Sequence, residues 1–179
     1  PGIWTLGITP AQQVMRLAVA LQGQGKTRIA GLLPENDFGR AMGAGLTQAA
    51  ARLQLPEPLI RTYPVGAPMD SLNTMVREMT NYASRRAPIE SEARAARASG
   101  TAEARRRAAE ISRQAVPPAP FDAILLADTG EGLEAVISLL SYYDADQAFV
   151  RVLGPSLWAA PASGGARVNG AWYAGPDPA

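Results

Sequence analysis

Apolar residues recur along this chain at two spacings, and the alternation between them predicts an α/β fold. Val14, Leu17, Ala18 and Leu21 share one helical stripe, which Gly23 and Gly25 stop. Thr9, Pro10 and Gln12 ahead of it read as a capping box with proline at the first helical position. Arg28 to Leu33 is a short apolar run and predicts a strand. The turn Pro34 to Asp37 delivers good capping residues to a second helix, with Phe38, Met42, Leu46, Ala49 and Leu53 on one face. Pro56 and Pro58 break it.

The same logic continues to the chain end. Leu59 to Tyr63 predicts a second strand, and Asp70 or Ser71 is expected to cap a third helix with Leu72, Met75, Val76, Met79 and Tyr82 inward. Phe121 to Ala127 carries Ala123 to Leu126 without alternation, the mark of a strand buried on both faces. Asp128, Thr129 and Gly130 turn into a helix bearing Leu133, Val136, Ile137 and Leu140, and Asp128 is expected to cap it. Phe149 to Leu153 predicts a fourth strand and Val168 to Ala174 a fifth. Strand–helix alternation of this kind implies right-handed crossovers and a doubly wound, mostly parallel, Rossmann-like sheet with helices on both faces. Ligands on such sheets sit beyond the carboxyl ends of the strands.

Segment 84–115 does not fit those layers. It is rich in Ala, Arg and Glu, with Ile89 and Ile111 its large apolar residues, and Ser99-Gly100-Thr101 breaks it centrally. It reads as two polar helices forming a protruding hairpin, or as a partly disordered arm. Pro117 to Pro120 is a stiff return to the sheet. The expected organisation is a single lobe, 1–179. Within it, 1–27 is a first segment and helix, 28–83 and 116–179 are the sheet core, and 84–115 is an Arg-rich insertion.

Composition narrows the chemistry. At 179 residues and 47% apolar, the chain is large enough for one domain with a real core. It contains no Cys, which excludes disulfides, thiolate nucleophiles and Cys-based zinc sites. It contains no His, which excludes a Ser-His-Asp triad and any imidazole base or ligand. The formal net charge of +1 hides an uneven distribution: segment 84–115 holds eight Arg against four Glu, and the remainder is net negative. Nucleic acid is not expected as a partner, because no aromatic residue is interleaved with those arginines to stack on bases. A solvated helical face with i, i+4 pairs such as Glu90–Arg94 and Glu103–Arg107 is the ordinary reading of the segment; an anionic partner is the other. No signal peptide or membrane-length apolar run is present. The opening Pro1-Gly2-Ile3-Trp4, without Met, is expected to belong to something longer.

Three motifs bear on chemistry. Ala20 to Thr27 fits a relaxed phosphate-loop pattern, but such a loop must follow a strand and open a helix, and here the order is reversed, so a helix stop is the reading. Asp128 at one strand end, with Glu35 and Asp37 after another, suggests a phospho-acceptor pocket; yet Lys26, the single lysine, precedes the first strand, and no basic residue is placed to hold a phosphoryl group. Trp158, Trp172 and Tyr173 near the last strand ends either wall a cleft or close the core, and Trp4 is either core or a surface that a missing part would cover.

Several stretches resemble a known family. Residues 28–40 (RIAGLLPENDFGR) resemble the strand–turn–helix that opens the second lobe of branched-chain amino-acid-type periplasmic receptors, and 121–128 (FDAILLAD) a later strand of that lobe. Residues 141–144 (SYYD), 153–158 (LGPSLW) and 170–178 (GAWYAGPDP), with the long polar insertion, are similar to the branch of bacterial penicillin-binding protein activators, envelope lipoproteins of the same type I periplasmic-binding fold. The resemblance implies that the chain is about half of a two-lobed parent, with the chain start through Thr9 and the end after Trp172 near a hinge. It implies a periplasmic location, with any lipid-modified Cys upstream.

The expected site follows. Asn36, Asp37, Phe38, Asp128, Thr129, Gly130, Ser156 and Trp158, with Glu35 beside them, should gather at the strand ends and face the missing lobe. Asp128 would pair with a ligand ammonium, the amides near Asn36 and Gly130 would hold carboxylate or hydroxyl groups, and Phe38 and Trp158 would supply apolar walls. The resulting expectation is a non-catalytic lobe for a small polar ligand, with an amino acid as the leading class and no cofactor or metal. The alternative is a module that regulates peptidoglycan synthesis through a synthase, with no small ligand; a transporter is the other expected protein partner. An enzyme would need a carboxylate-only magnesium site built from Glu35, Asp37 and Asp128.

Overall fold

The computed structural model describes residues 8–160, 168 and 170–175. Trp4 and the ends of the segments assigned to the hinge lie outside them. Strands β1 (Ile29–Pro34), β2 (Leu59–Tyr63), β3 (Ala123–Leu126), β4 (Arg151–Gly154) and β5 (Trp172–Tyr173) form one sheet in the order β2-β1-β3-β4-β5. Every pairing is parallel. Helices α1 (Pro10–Gly23), α2 (Asp37–Arg52), α3 (Met69–Met79), α4 (Tyr82–Arg97), α5 (Ala102–Ser112) and α6 (Gly130–Tyr142) connect and cover it.

The uninterrupted apolar strands are buried on both faces because helices lie on both. Ile29, Leu33, Ala123, Leu125 and Leu153 pack under α1 and α2, through Val14, Leu17, Leu21, Met42 and Leu46. Ala30, Leu32, Ile124, Leu126 and Val152 point the other way and pack under α3 and α6, through Leu72, Val76, Leu133 and Val136. Side chains of a strand alternate faces, so each strand serves both layers. A fully buried Leu such as Leu21 or Leu133 contributes about 1.5–3 kcal/mol by leaving water.

Helix α1 starts as its sequence implies. The Thr9 hydroxyl accepts from the Gln12 N–H, and the Gln12 side chain accepts from the Thr9 N–H. Helix α3 does not: Pro68 is its cap, and Asp70 and Ser71 lie inside the first turn. The fixed φ of proline already presets the turn, so no side-chain cap is required. Tyr82 faces the core as expected but belongs to α4, because Asn81 in the left-handed region (φ 51°) ends the preceding turn.

Segment 84–115 is a helical hairpin. α4 and α5 meet along Ile89, Ala93, Ala108 and Ile111, a cluster separate from both sheet layers. The expected pairs Glu90–Arg94 and Glu103–Arg107 are not formed; Glu90 instead meets Arg86 at 3.8 Å. Arg86 also donates to the Ser112 carbonyl across the hairpin, which holds its guanidinium on the Glu90 side.

Candidate functional site

The parallel registers decide what meets at the rim. Pro34 pairs with Tyr63, Leu32 with Leu126 and Leu125 with Leu153. Running these pairings on by two or three residues puts Pro34, Tyr63, Asp128 and Ser156 level with one another. The carboxyl ends of β1 to β4 therefore deliver Glu35 and Asn36, Tyr63, Asp128 and Thr129, and Ser156 to a single edge.

Each residue is held differently. Asn36 caps α2, its side chain accepting from the Gly39 N–H at 2.7 Å. Asp37 is exposed and ion-paired with Arg40. Glu35 accepts from the Thr62 hydroxyl at 3.2 Å. Phe38 is half-buried against the α1–α2 layer and offers only part of its ring to the rim. Glu35, Asp37 and Asp128 thus each have their own partner and are not gathered into one carboxylate cluster.

Asp128 is the centre of the arrangement, but not as a helix cap. Thr129 occupies the cap position of α6 and makes no side-chain capping bond. The Asp128 carboxylate instead accepts from the Thr129 N–H at 2.8 Å through Oδ1 and from the Tyr63 hydroxyl at 2.6 Å through Oδ2. It lies directly over the first turn of α6: a Cβ on Gly132 would stand 2.4 Å from Oδ2. Burial, then the hydrogen bond to Asp128 and its negative charge, push the Tyr63 hydroxyl well above the usual phenol range. Tyr63 therefore stays a proton donor at any ordinary pH. Each carboxylate oxygen keeps a second lone pair, so a ligand cation beside Asp128 can still be received.

Trp158 does not wall the rim. It is fully buried, and its indole Nε1–H donates to the Asp128 carbonyl at 2.9 Å. Its ring lies against Gly154, where a Cβ would stand 2.1 Å from the nearest ring atom. The tryptophan fixes the backbone that carries Asp128 and offers no face to a ligand in this conformation. Ser156 is half-buried and its N–H donates to Gln13 Oε1 at 2.8 Å, joining the fourth strand end to α1. Gly130 (φ 59°) is exposed at the start of α6, and Thr129 is partly so.

Sequence reasoning missed Tyr63, Gln13 and the apolar part of the rim. Val65 and Met69, after β2, and Leu157, after β4, are exposed at the same edge, at 68%, 54% and 52%. Tyr63 had a usable signal: it ends a predicted strand, where a phenol reaches the shared edge. Gln13 had none, because its partner is 143 residues away.

No family model matches the sequence. No curated protein matches it either. Solved structures do resemble it in fold. An extracellular ligand-binding receptor from Verminephrobacter eiseniae aligns with a TM-score of 0.51 at 13% identity, over 90% of this chain and 34% of that one. The C-domain of LpoA from Haemophilus influenzae, a regulator of PBP1A, aligns at 0.50 and 13%, over 84% and 33%. A solute-binding protein of an ABC transporter from Rhodopseudomonas palustris, in complex with 3,4-dihydroxybenzoic acid, aligns at 0.50 and 13%, over 82% and 30%. The chain spans about a third of the length of each of these structures. With the five-stranded parallel sheet and its level rim, the likeness shows that this chain has the fold of one lobe of a type I periplasmic-binding protein.

Proposed function

We propose that this chain is one wall of a ligand cleft in a two-lobed, non-catalytic binding protein of the periplasm. The ligand is a small polar molecule, with an amino acid as the expected class. The observation that carries this reading is the Asp128 carboxylate, held in place by Tyr63 and seated over the uncapped first turn of α6. That pairing sets a fixed negative group beside the amides of an α6 first turn that has no side-chain cap, at a positive helix end, which is complementary to a zwitterion. Asp128 receives the ammonium, the first-turn amides near Gly130 donate to carboxylate or hydroxyl oxygens, and Asn36, Asp37, Phe38 and Ser156 complete the edge. Val65, Met69 and Leu157 supply the apolar surface for the ligand or the opposing lobe. Trp158 serves the site from behind, through Asp128.

The test is calorimetry of the two-lobed protein against a panel of amino acids and small hydroxylated acids, repeated with Asp128→Asn. A ligand whose affinity drops about tenfold or more in the variant, some 1.4 kcal/mol, supports the assignment. Silence across the panel, or binding indifferent to Asp128, removes it.

A second reading has its own observation. The Arg-rich hairpin is no part of the rim, and the LpoA domain that shares this fold is a regulator of PBP1A. On this reading the chain is a regulatory module for a peptidoglycan synthase and holds no small ligand. A pull-down from envelope extracts with and without residues 84–115 distinguishes the two, and failure of the intact protein to capture any synthase ends the second.

A further inference from the structure

The two flanks of the hairpin carry opposite charge. At ~3.6 residues per turn, Arg86, Glu90, Arg94 and Arg97 fall on one side of α4. The Arg86 bond to the Ser112 carbonyl shows that this side abuts the flank of α5 bearing Arg105 and Ser112. The other side is different: a cavity of about 440 Å³ between the helices is lined there by Glu92, Glu103 and Arg107. The basic flank is nearly free of carboxylates. Glu90 is its one acidic residue and is engaged with Arg86. Among the described residues no carboxylate lies within ion-pair distance of Arg94, Arg97 or Arg105.

At its root the basic flank runs into a second cavity, of about 310 Å³, lined by Arg77, Tyr82, Arg86, Glu90, Tyr142 and Tyr143. The aromatic rings there are ordered against one another. Tyr143 meets Tyr82 edge-on at 5.1 Å and Tyr142 at 5.0 Å. Tyr142 is nonetheless 72% exposed, and Arg77 is exposed beside it. Tyrosine and arginine are among the residue types that dominate protein interface energetics, and a half-open cavity with mixed aromatic and polar walls accepts one aromatic side chain against its rings.

We propose that this strip, from the Tyr142 cavity along Arg86, Arg94 and Arg97 to Arg105, docks an acidic segment of a partner protein. One aromatic side chain of the segment enters the cavity against its tyrosine rings, and its carboxylates lie along the arginines. Charge complementarity supports the occupant: forked guanidiniums bind carboxylates in pairs, Arg94 and Arg97 have no acidic partner among the described residues, and Arg86 and Arg105 keep further N–H groups beyond their bonds to the Ser112 and Gly100 carbonyls. The aromatic cavity at one end favours a peptide over a bare polyanion, which has nothing to put into it. The strip does not depend on occupancy of the rim, and it gives a chemistry to the partner surface in the regulatory reading.

Fluorescence anisotropy of the full chain tests this with short labelled peptides of Asp and Glu around one central Trp. Controls are the same peptides with Asn and Gln, inorganic polyphosphate, and vesicles of anionic phospholipid. The acidic peptide should bind, the amide peptide should not, and the double variant Arg94→Glu, Arg97→Glu should weaken binding at least about tenfold. Tyr142→Ala should weaken the peptide and leave polyphosphate unchanged. Circular dichroism checks that each variant is folded; Arg94→Gln with Arg97→Gln replaces the double charge reversal if that one is not. Peptide binding that is absent, or indifferent to both the arginines and Tyr142, overturns the proposal. So does equal binding of vesicles or polyphosphate with no effect of Tyr142→Ala. If the peptide behaves as expected while no envelope protein is captured, the docking strip stands and the regulatory reading falls.

Discussion

The Tyr63 hydroxyl donates to the Asp128 carboxylate at 2.6 Å across the end of β1, tying the rim contributions of β2 and β3 together. A partly buried hydrogen bond to a charged acceptor contributes more than a neutral one. Tyr63→Phe is expected to cost about 1–2 kcal/mol in urea denaturation. The pH dependence has a definite sign. The folded-state phenol is raised, so its contribution is complete below the unfolded value, near pH 10, and is lost as pH rises beyond it. Wild-type stability should therefore decline in strong alkali by more than that of Tyr63→Phe. Parallel alkaline limbs for the two proteins would show that the bond does not stabilise the fold.

Gly154 and Trp158 form the other support of Asp128. The indole occupies the space a Cβ on Gly154 would need. Gly154→Ala should overpack the site and cost about 1–3 kcal/mol. Trp158→Ala should cost about 3–5 kcal/mol, because it empties a fully buried position and removes the donor to the Asp128 carbonyl. Near-ultraviolet circular dichroism and urea midpoints report both. A Gly154→Ala protein as stable as the wild type would mean that the ring has room to move.

These supports mark the limit of what the sequence made legible. The strands, the helices and their common edge follow from local spacing and from the chain-reversal rules for parallel sheets, so β1, β2, β3 and most helices were readable. β3, β4 and β5 came out shorter than expected, with Phe149 left exposed outside the sheet. Its N–H bonds the Asp146 carbonyl in a turn, a choice that no periodicity encodes. At the site, Asp128 was readable as a strand-end residue. Tyr63, 65 positions earlier, was readable as another strand end, but its bond to Asp128 was not, and neither was the burial of Trp158, because both depend on which side chains three strands bring level.

At the opposite edge of the sheet, Asp122 locks the entry to β1 against β3. Its carboxylate accepts from the Thr27 and Arg28 backbone N–H groups and from the Arg28 guanidinium at 2.9 Å. Burial pushes this carboxyl up, but the Arg28 side-chain and backbone bonds, the Thr27 bond and the Arg28 charge together hold it below the usual carboxylate range. A lowered folded-state value means that the stabilisation is present above the unfolded value, near pH 4, and disappears as pH falls through the lower folded one. Wild-type stability should drop on acidification below about pH 4 more steeply than that of Asp122→Asn. Chemical denaturation across that window measures it, and identical acid limbs would show that Asp122 contributes nothing through its charge.

Arg85 closes the hairpin onto the body and is the residue whose loss should be felt most widely. It is 7% exposed, and burial lowers its guanidinium from the usual arginine value, with the charges of Asp144 and Tyr82 opposing that shift. Its charge is compensated by four hydrogen bonds that engage all three guanidinium nitrogens. Nε donates to Pro117 O at 2.6 Å, Nη1 to Thr80 O and Tyr143 O at 3.1 Å each, and Nη2 to Asp144 O at 2.7 Å. Thr80 caps the carboxyl end of α3, and Tyr143 and Asp144 sit at that of α6, so one cation satisfies two helix ends of negative character and the chain returning from α5. Arg85→Ala strands several buried carbonyls at once and should cost about 3 kcal/mol or more. Arg85→Lys keeps the charge but lacks the fork, so it should recover only part of that loss. Hydrogen exchange should show the carboxyl ends of α3 and α6 opening together in both variants. Full recovery by lysine would mean that charge alone, without the forked geometry, holds this junction.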